Sequence, residues 1–63
     1  MLVKINGDHV NPDNVSFVSN VKQDENYEGW YFNYIVDGTL MIEESMDKKE
    51  VDKIREKLLR ACQ

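Results

Sequence analysis

Sixty-three residues with one cysteine, Cys62, and one histidine, His9, make a single small domain that can hold neither an internal disulfide nor a four-ligand zinc site of the usual kind. A chain this short buries only about 60% of its unfolded surface, so it depends on good packing or on a partner subunit. The net charge of −4 is uneven: residues 1–46 carry eight acids against Lys4 and Lys22, a net of −6, whereas residues 47–63 carry six bases against four acids, a net of +2, a balance that argues against nucleic acid as partner.

Leu2-Val3-Lys4-Ile5 reads as a first strand, and Asn6-Gly7-Asp8 as a tight turn, because Asn-Gly accepts the positive φ angles that a two-residue hairpin requires. His9-Val10 is a short return. Asn11-Pro12-Asp13-Asn14 is a second turn, with Pro12 at the position where its fixed φ fits. Val15 to Val21 alternates as a half-buried strand, with Val15, Phe17 and Val21 on one side, and residues 22–28 form a polar loop.

Trp30-Tyr31-Phe32-Asn33-Tyr34-Ile35-Val36 is the strongest strand signal, filled with aromatic and β-branched residues. Trp30, Phe32, Tyr34 and Val36 share one face; Tyr31, Asn33 and Ile35 share the other. Asp37-Gly38 is a hairpin turn, and Thr39 to Glu43 is the returning strand, on which Leu40 and Ile42 point opposite to Met41.

A helix follows. Asp47 is its cap, Glu50 completes a capping-box-like pair, and Met46 and Val51 occupy the two positions of a hydrophobic staple. Val51, Ile54, Leu58 and Ala61 lie on one helical face, widened by Leu59 and Cys62. Glu56 and Arg60 form an i, i+4 pair, and Lys57 and Arg60 complement the dipole at the C-terminal end.

Strands first and then a helix predict one α+β domain over residues 1–63: an antiparallel meander of three or four strands with a C-terminal helix on one face. One helix covers one face. The central strand is apolar on both, so a second apolar face is left over, and such a patch marks an interaction site. The contact residues are expected to be Trp30, Tyr31, Asn33 and Ile35, with Glu28 and Glu43 beside them.

Catalytic chemistry is not expected. His9 sits in a turn beside Asp8 with no nucleophile or orienting group in view. Asp8, His9 and Asp13 match no metal-binding loop, and three scattered glycines form no phosphate loop, so no cofactor or metal is expected. Cys62 lies at a helix C-terminus, where a thiolate is disfavoured. The lone cysteine, and an N-terminus too short for a signal core or a membrane span, predict a cytoplasmic, membrane-free setting.

The layout resembles the short flagellar FlbD-type proteins and similar small bacterial and phage accessory proteins. Ile5-Asn6-Gly7, Asn11-Pro12-Asp13-Asn14-Val15, and Glu44-Ser45 leading into a helix with Val51 and Ile54 carry the likeness. It differs in the polar loop at 23–28 and the aromatic strand at 30–34. The resemblance implies a small regulatory or accessory role with no catalytic residues. The expected function is therefore a protein-binding regulator or inhibitor, of the kind a phage encodes to act on a host protein. A structural homodimer of the FlbD-like type and a single-stranded nucleic-acid binder using the strand aromatics are the alternatives.

Overall fold

The computed structural model describes residues 2–26 and 28–62; Met1, Tyr27 and Gln63 lie outside the described residues, so the loop expected over 22–28 is described except at Tyr27. The described residues form a small α+β fold with a C-terminal helix, the class that the order of sequence elements predicts, but their strands divide between two antiparallel sheets where the sequence predicts a single meander of three or four strands.

The chain opens with a hairpin of β1 (Val3–Ile5) and β2 (Asp8–Val10). Asn6 and Gly7 turn it with φ of 47° and 95°, the left-handed pair that matches strand twist. A 3₁₀ turn at Pro12–Asn14 follows, capped by the Asn11 side chain, which accepts from the Asp13 N–H at 3.0 Å.

The second sheet includes β3 (Val15–Val18) and β4 (Lys22–Gln23) and is built on β5 (Trp30–Val36). On one side of β5, β6 (Thr39–Ser45) pairs along its whole length, from Trp30 opposite Ser45 to Val36 opposite Thr39. On the other side β3 and β4 lie end to end, β3 against Val36 to Tyr34 and β4 against Tyr31 and Trp30. Ser19 bridges the break between them. Its N–H donates to the Asn33 carbonyl and its Oγ accepts from the Asn33 N–H, both at 2.8 Å, so a side chain replaces one rung of the ladder.

Helix α1 (Lys48–Ala61) begins where Asp47 accepts from the Lys49 N–H at 3.0 Å. The expected capping box is modified: the Asp47 N–H donates to Ser45 Oγ at 3.1 Å, so Ser45 takes the place assigned to Glu50. Met46 stays 63% exposed, which leaves the expected staple against Val51 open. The Glu56–Arg60 pair forms at 3.2 Å, beside a second i, i+4 pair between Lys48 and Asp52 at 2.9 Å.

The helix and the β1–β2 hairpin both pack on the same face of the second sheet. Ile5 and Val10 from the hairpin, Phe32 and Tyr34 from β5, and Val51 and Leu58 from α1 are buried together. The Phe32 and Tyr34 rings stack with centroids 5.8 Å apart. The face bearing Trp30, Phe32, Tyr34 and Val36 is thus the covered one.

Other sequence expectations are corrected as well: Lys22 and Gln23, expected in a polar loop, pair with β5 as β4. Val15, Phe17 and Val21 do not share a side. The register slips between Val15 and Phe17, and the extra residue rotates the following side chain through the sheet. Val15, Val18 and Val21 pack against the core, while Phe17 points the other way, opposite Ile35.

Candidate functional site

The uncovered face of the second sheet is set by alternation along the strands. It presents Tyr31, Asn33 and Ile35 from β5, Leu40, Ile42 and Glu44 from β6, Phe17 from β3 and Lys22 from β4. Phe17, Leu40 and Ile42 are 50%, 56% and 55% exposed. These residues stand in rows across the sheet. Phe17, Ile35 and Leu40 form an apolar row at one end. Asn33 and Ile42 stand in the middle. Lys22, Tyr31 and Glu44 form a row at the other end, basic at one edge and acidic at the opposite edge.

Of the six residues expected to make contact, Tyr31, Asn33 and Ile35 come together on this open face. Trp30 and Glu43 do not: both project from the covered face. Trp30 is half-buried, with the Lys48 ammonium 5.6 Å from its ring centroid, a cation–π contact with the first turn of the helix. Glu43 is only 7% exposed, set directly opposite Phe32. Glu28 is exposed in the loop before β5 and belongs to neither face. Phe17, Leu40 and Ile42 complete the face. For Leu40 and Ile42 the signal was their alternation against Met41. For Phe17 it was hidden by the bulge.

Two polar features lie close to this geometry. Asn33 Oδ1, at the centre of the open face, is buried and has no hydrogen-bond partner among the described residues. On the covered face the Tyr34 hydroxyl and Glu43 Oε2 are likewise buried without a partner among those residues, while Glu43 Oε1 accepts from Asn6 Nδ2 at 3.4 Å. Burial pushes the Glu43 carboxyl above the ordinary range, helped by the charge of Asp8 and opposed by the Asn6 hydrogen bond. Burial likewise raises the Tyr34 phenol, with Glu43 and Asp8 adding to the shift.

Elsewhere, an open groove of about 580 Å³ runs between the hairpin and the outer side of the helix, lined by Ile5, Asn6, Lys53, Ile54 and Lys57 among others. No cluster of three or more His, Cys, Asp or Glu side chains suited to a metal ion occurs among the described residues. No helix among them is long and apolar enough to cross a membrane.

Two of the strand aromatics that a base-stacking surface would use, Phe32 and Tyr34, are sealed in the core. Among the described residues of the open face, the aromatic rings are Phe17 and Tyr31, and the base is Lys22. No protein-family model, no curated protein and no solved structure matches this chain.

Proposed function

We propose that this chain is a non-enzymatic protein-binding module, of the accessory or regulatory class, whose contact surface is the open face of its second sheet. The observation that carries the reading is the half-exposed set Phe17, Leu40 and Ile42 standing around Ile35 on one continuous face. Contiguous apolar surface of this kind is rare on small soluble monomers and marks contact with another molecule. The residue types fit that use. Aromatic and aliphatic side chains form the centre of protein interfaces, and charged groups such as Lys22 and Glu44 stand at their rims.

Protein rather than nucleic acid is the favoured partner class because the face sets Lys22 against Glu44 and because residues 1–46 are strongly acidic overall. The acidic surface also repels polyanions at a distance.

The test is site-specific photocrosslinking in the cell that expresses the chain. A benzophenone side chain at position 42 is expected to give discrete protein adducts. The same group at Lys57, on the outer side of the helix, is expected to give none. Adducts from position 57 with none from position 42 would move the contact surface to the helix side and end this reading.

A further inference from the structure

The open face is self-complementary, and we infer that the molecule seated on it is a second copy of this chain, related by a two-fold axis running along β5. The inference rests on the reading of this face as a protein contact and names its partner.

Two sheets that pack face to face lie about 10 Å apart with their strands nearly aligned. A symmetric pair of this kind has its two-fold axis in the plane between the sheets, either along the strands or across them. The two choices give different contacts. An axis along β5 keeps each row of side chains over the same row of the partner and exchanges left for right. Phe17 then meets Leu40 of the second copy, Ile35 meets Ile35, and Lys22 meets Glu44. This follows from the flanking positions: Phe17 and Leu40 both stand opposite Ile35, on its two sides, and Lys22 and Glu44 both stand opposite Tyr31, on its two sides.

An axis across the strands that keeps the two faces fully overlapped exchanges the rows instead. It lays Lys22 and Glu44 over the apolar row of Phe17, Ile35 and Leu40, which strips water from charges with nothing to replace it. The charge pattern therefore selects the axis along β5. Charge complementarity appears twice in that pair, once at each edge, as an isologous interface requires.

The central position agrees. Asn33 stands in the middle row, so the same axis brings it toward its own counterpart. An isolated polar residue in an otherwise apolar contact fixes register.

A standard interface draws on about 20–30 residues a side and this face presents eight among the described residues, so the pair is expected to be concentration-dependent. The experiment is sedimentation equilibrium at low salt, with the chain varied from about 10 µM to about 1 mM. The wild type is expected to move from monomer to dimer. Lys22→Glu and Glu44→Lys, each alone, set two like-charge contacts in every homodimer and are expected to weaken it about tenfold. Mixing the two variants in equal amounts restores both opposite-charge contacts in the heterodimer, and is expected to return the affinity to within about threefold of the wild type.

Circular dichroism at low concentration checks that each variant keeps the fold, which is expected because both side chains are exposed. A wild type that stays monomeric throughout overturns the inference. If position 42 still crosslinks to a different protein, the contact reading survives that result; if it crosslinks to nothing, both fall. A dimer indifferent to the charge variants, or one that mixing does not restore, also overturns it, because pairing through the edge of β6 does not bring Lys22 over Glu44.

Discussion

The Nε of Arg55 lies 2.7 Å from the carbonyl oxygen of Ser19, tying the middle of α1 to the break between β3 and β4. The same guanidinium reaches Asn20 Oδ1 at 3.3 Å. Strand β3 ends at Val18 and β4 has only two residues, so this edge of the sheet has few backbone bonds of its own. A charge-assisted bond to a backbone carbonyl at that point holds the edge against the helix.

Arg55→Ala is therefore expected to destabilise the chain by about 1.5–2 kcal/mol, the lower part of the range for hydrogen bonds to charged groups because the side chain is only partly buried. Arg55→Lys is expected to recover only part of the loss, since an ammonium does not reproduce the planar fork that serves Ser19 and Asn20 together. Urea denaturation checks this. The midpoint should fall with the slope unchanged. An Arg55→Ala midpoint equal to the wild type would mean that the edge stands without this tie.

The two faces of the second sheet should respond oppositely to truncation. Leu58 is fully buried between α1 and the sheet, so Leu58→Ala is expected to cost about 2–5 kcal/mol, enough to unfold much of a domain this small. Leu40 is half-exposed on the other face, so Leu40→Ser is expected to change the monomer by no more than about 0.5 kcal/mol. Both are measured at low protein concentration, where self-association does not contribute. A large loss for Leu40→Ser would mean that its face is packed within the single chain.

Much of this architecture is legible in the sequence, for local reasons. The two hairpin turns are written in Asn6-Gly7 and Asp37-Gly38, because few other residue pairs tolerate left-handed backbone at both positions. The helix is written in Asp47 and in the spacing of Val51 and Leu58. Strand alternation alone separates Phe32 and Tyr34 from Tyr31, Asn33 and Ile35 along β5. What the sequence hides is non-local. The register slip that turns Phe17 outward depends on how β3 pairs with β5, and nothing in Val15-Ser16-Phe17 announces it. Glu43 looks like a surface acid until the hairpin tip with Asn6 is placed over it. Arg55 and Ser19 are 36 residues apart and meet only through the packing of α1 on the sheet.

The Asp37-Gly38 turn offers a local test. Gly38 has φ of 77° and a side chain there would meet nothing within 4 Å, so any loss on substitution is purely conformational. Gly38→Ala is expected to cost about 1–2 kcal/mol, the penalty of a Cβ in left-handed backbone. In a domain of this size that corresponds to a fall in Tm of roughly 4–8 °C per kcal/mol. Gly38→Asn is expected to lose less, because Asn visits this region more readily. Equal losses for Ala and Asn would place the cause elsewhere than in backbone conformation.

Glu43 makes stability depend on pH in an unusual direction. Burial raises its carboxyl above the value of the unfolded chain, so the folded state holds this proton more tightly than the unfolded state does. The stabilisation from that proton is complete below the ordinary glutamate range, near about pH 4.3, and is lost as the pH rises through the elevated folded value. Most carboxylates in folded proteins act in the opposite sense. Glu43→Gln keeps the shape and the acceptor for Asn6 Nδ2 while removing the charge. The variant is therefore expected to match the wild type at about pH 4 and to exceed it increasingly as the pH rises toward 7, by about 1–2 kcal/mol, the scale of a buried polar group without a full set of partners. Comparing the two proteins at each pH cancels the titration of every other group. A stability difference that stays flat from pH 4 to pH 7 would show that the Glu43 carboxyl keeps its ordinary proton affinity under the hairpin.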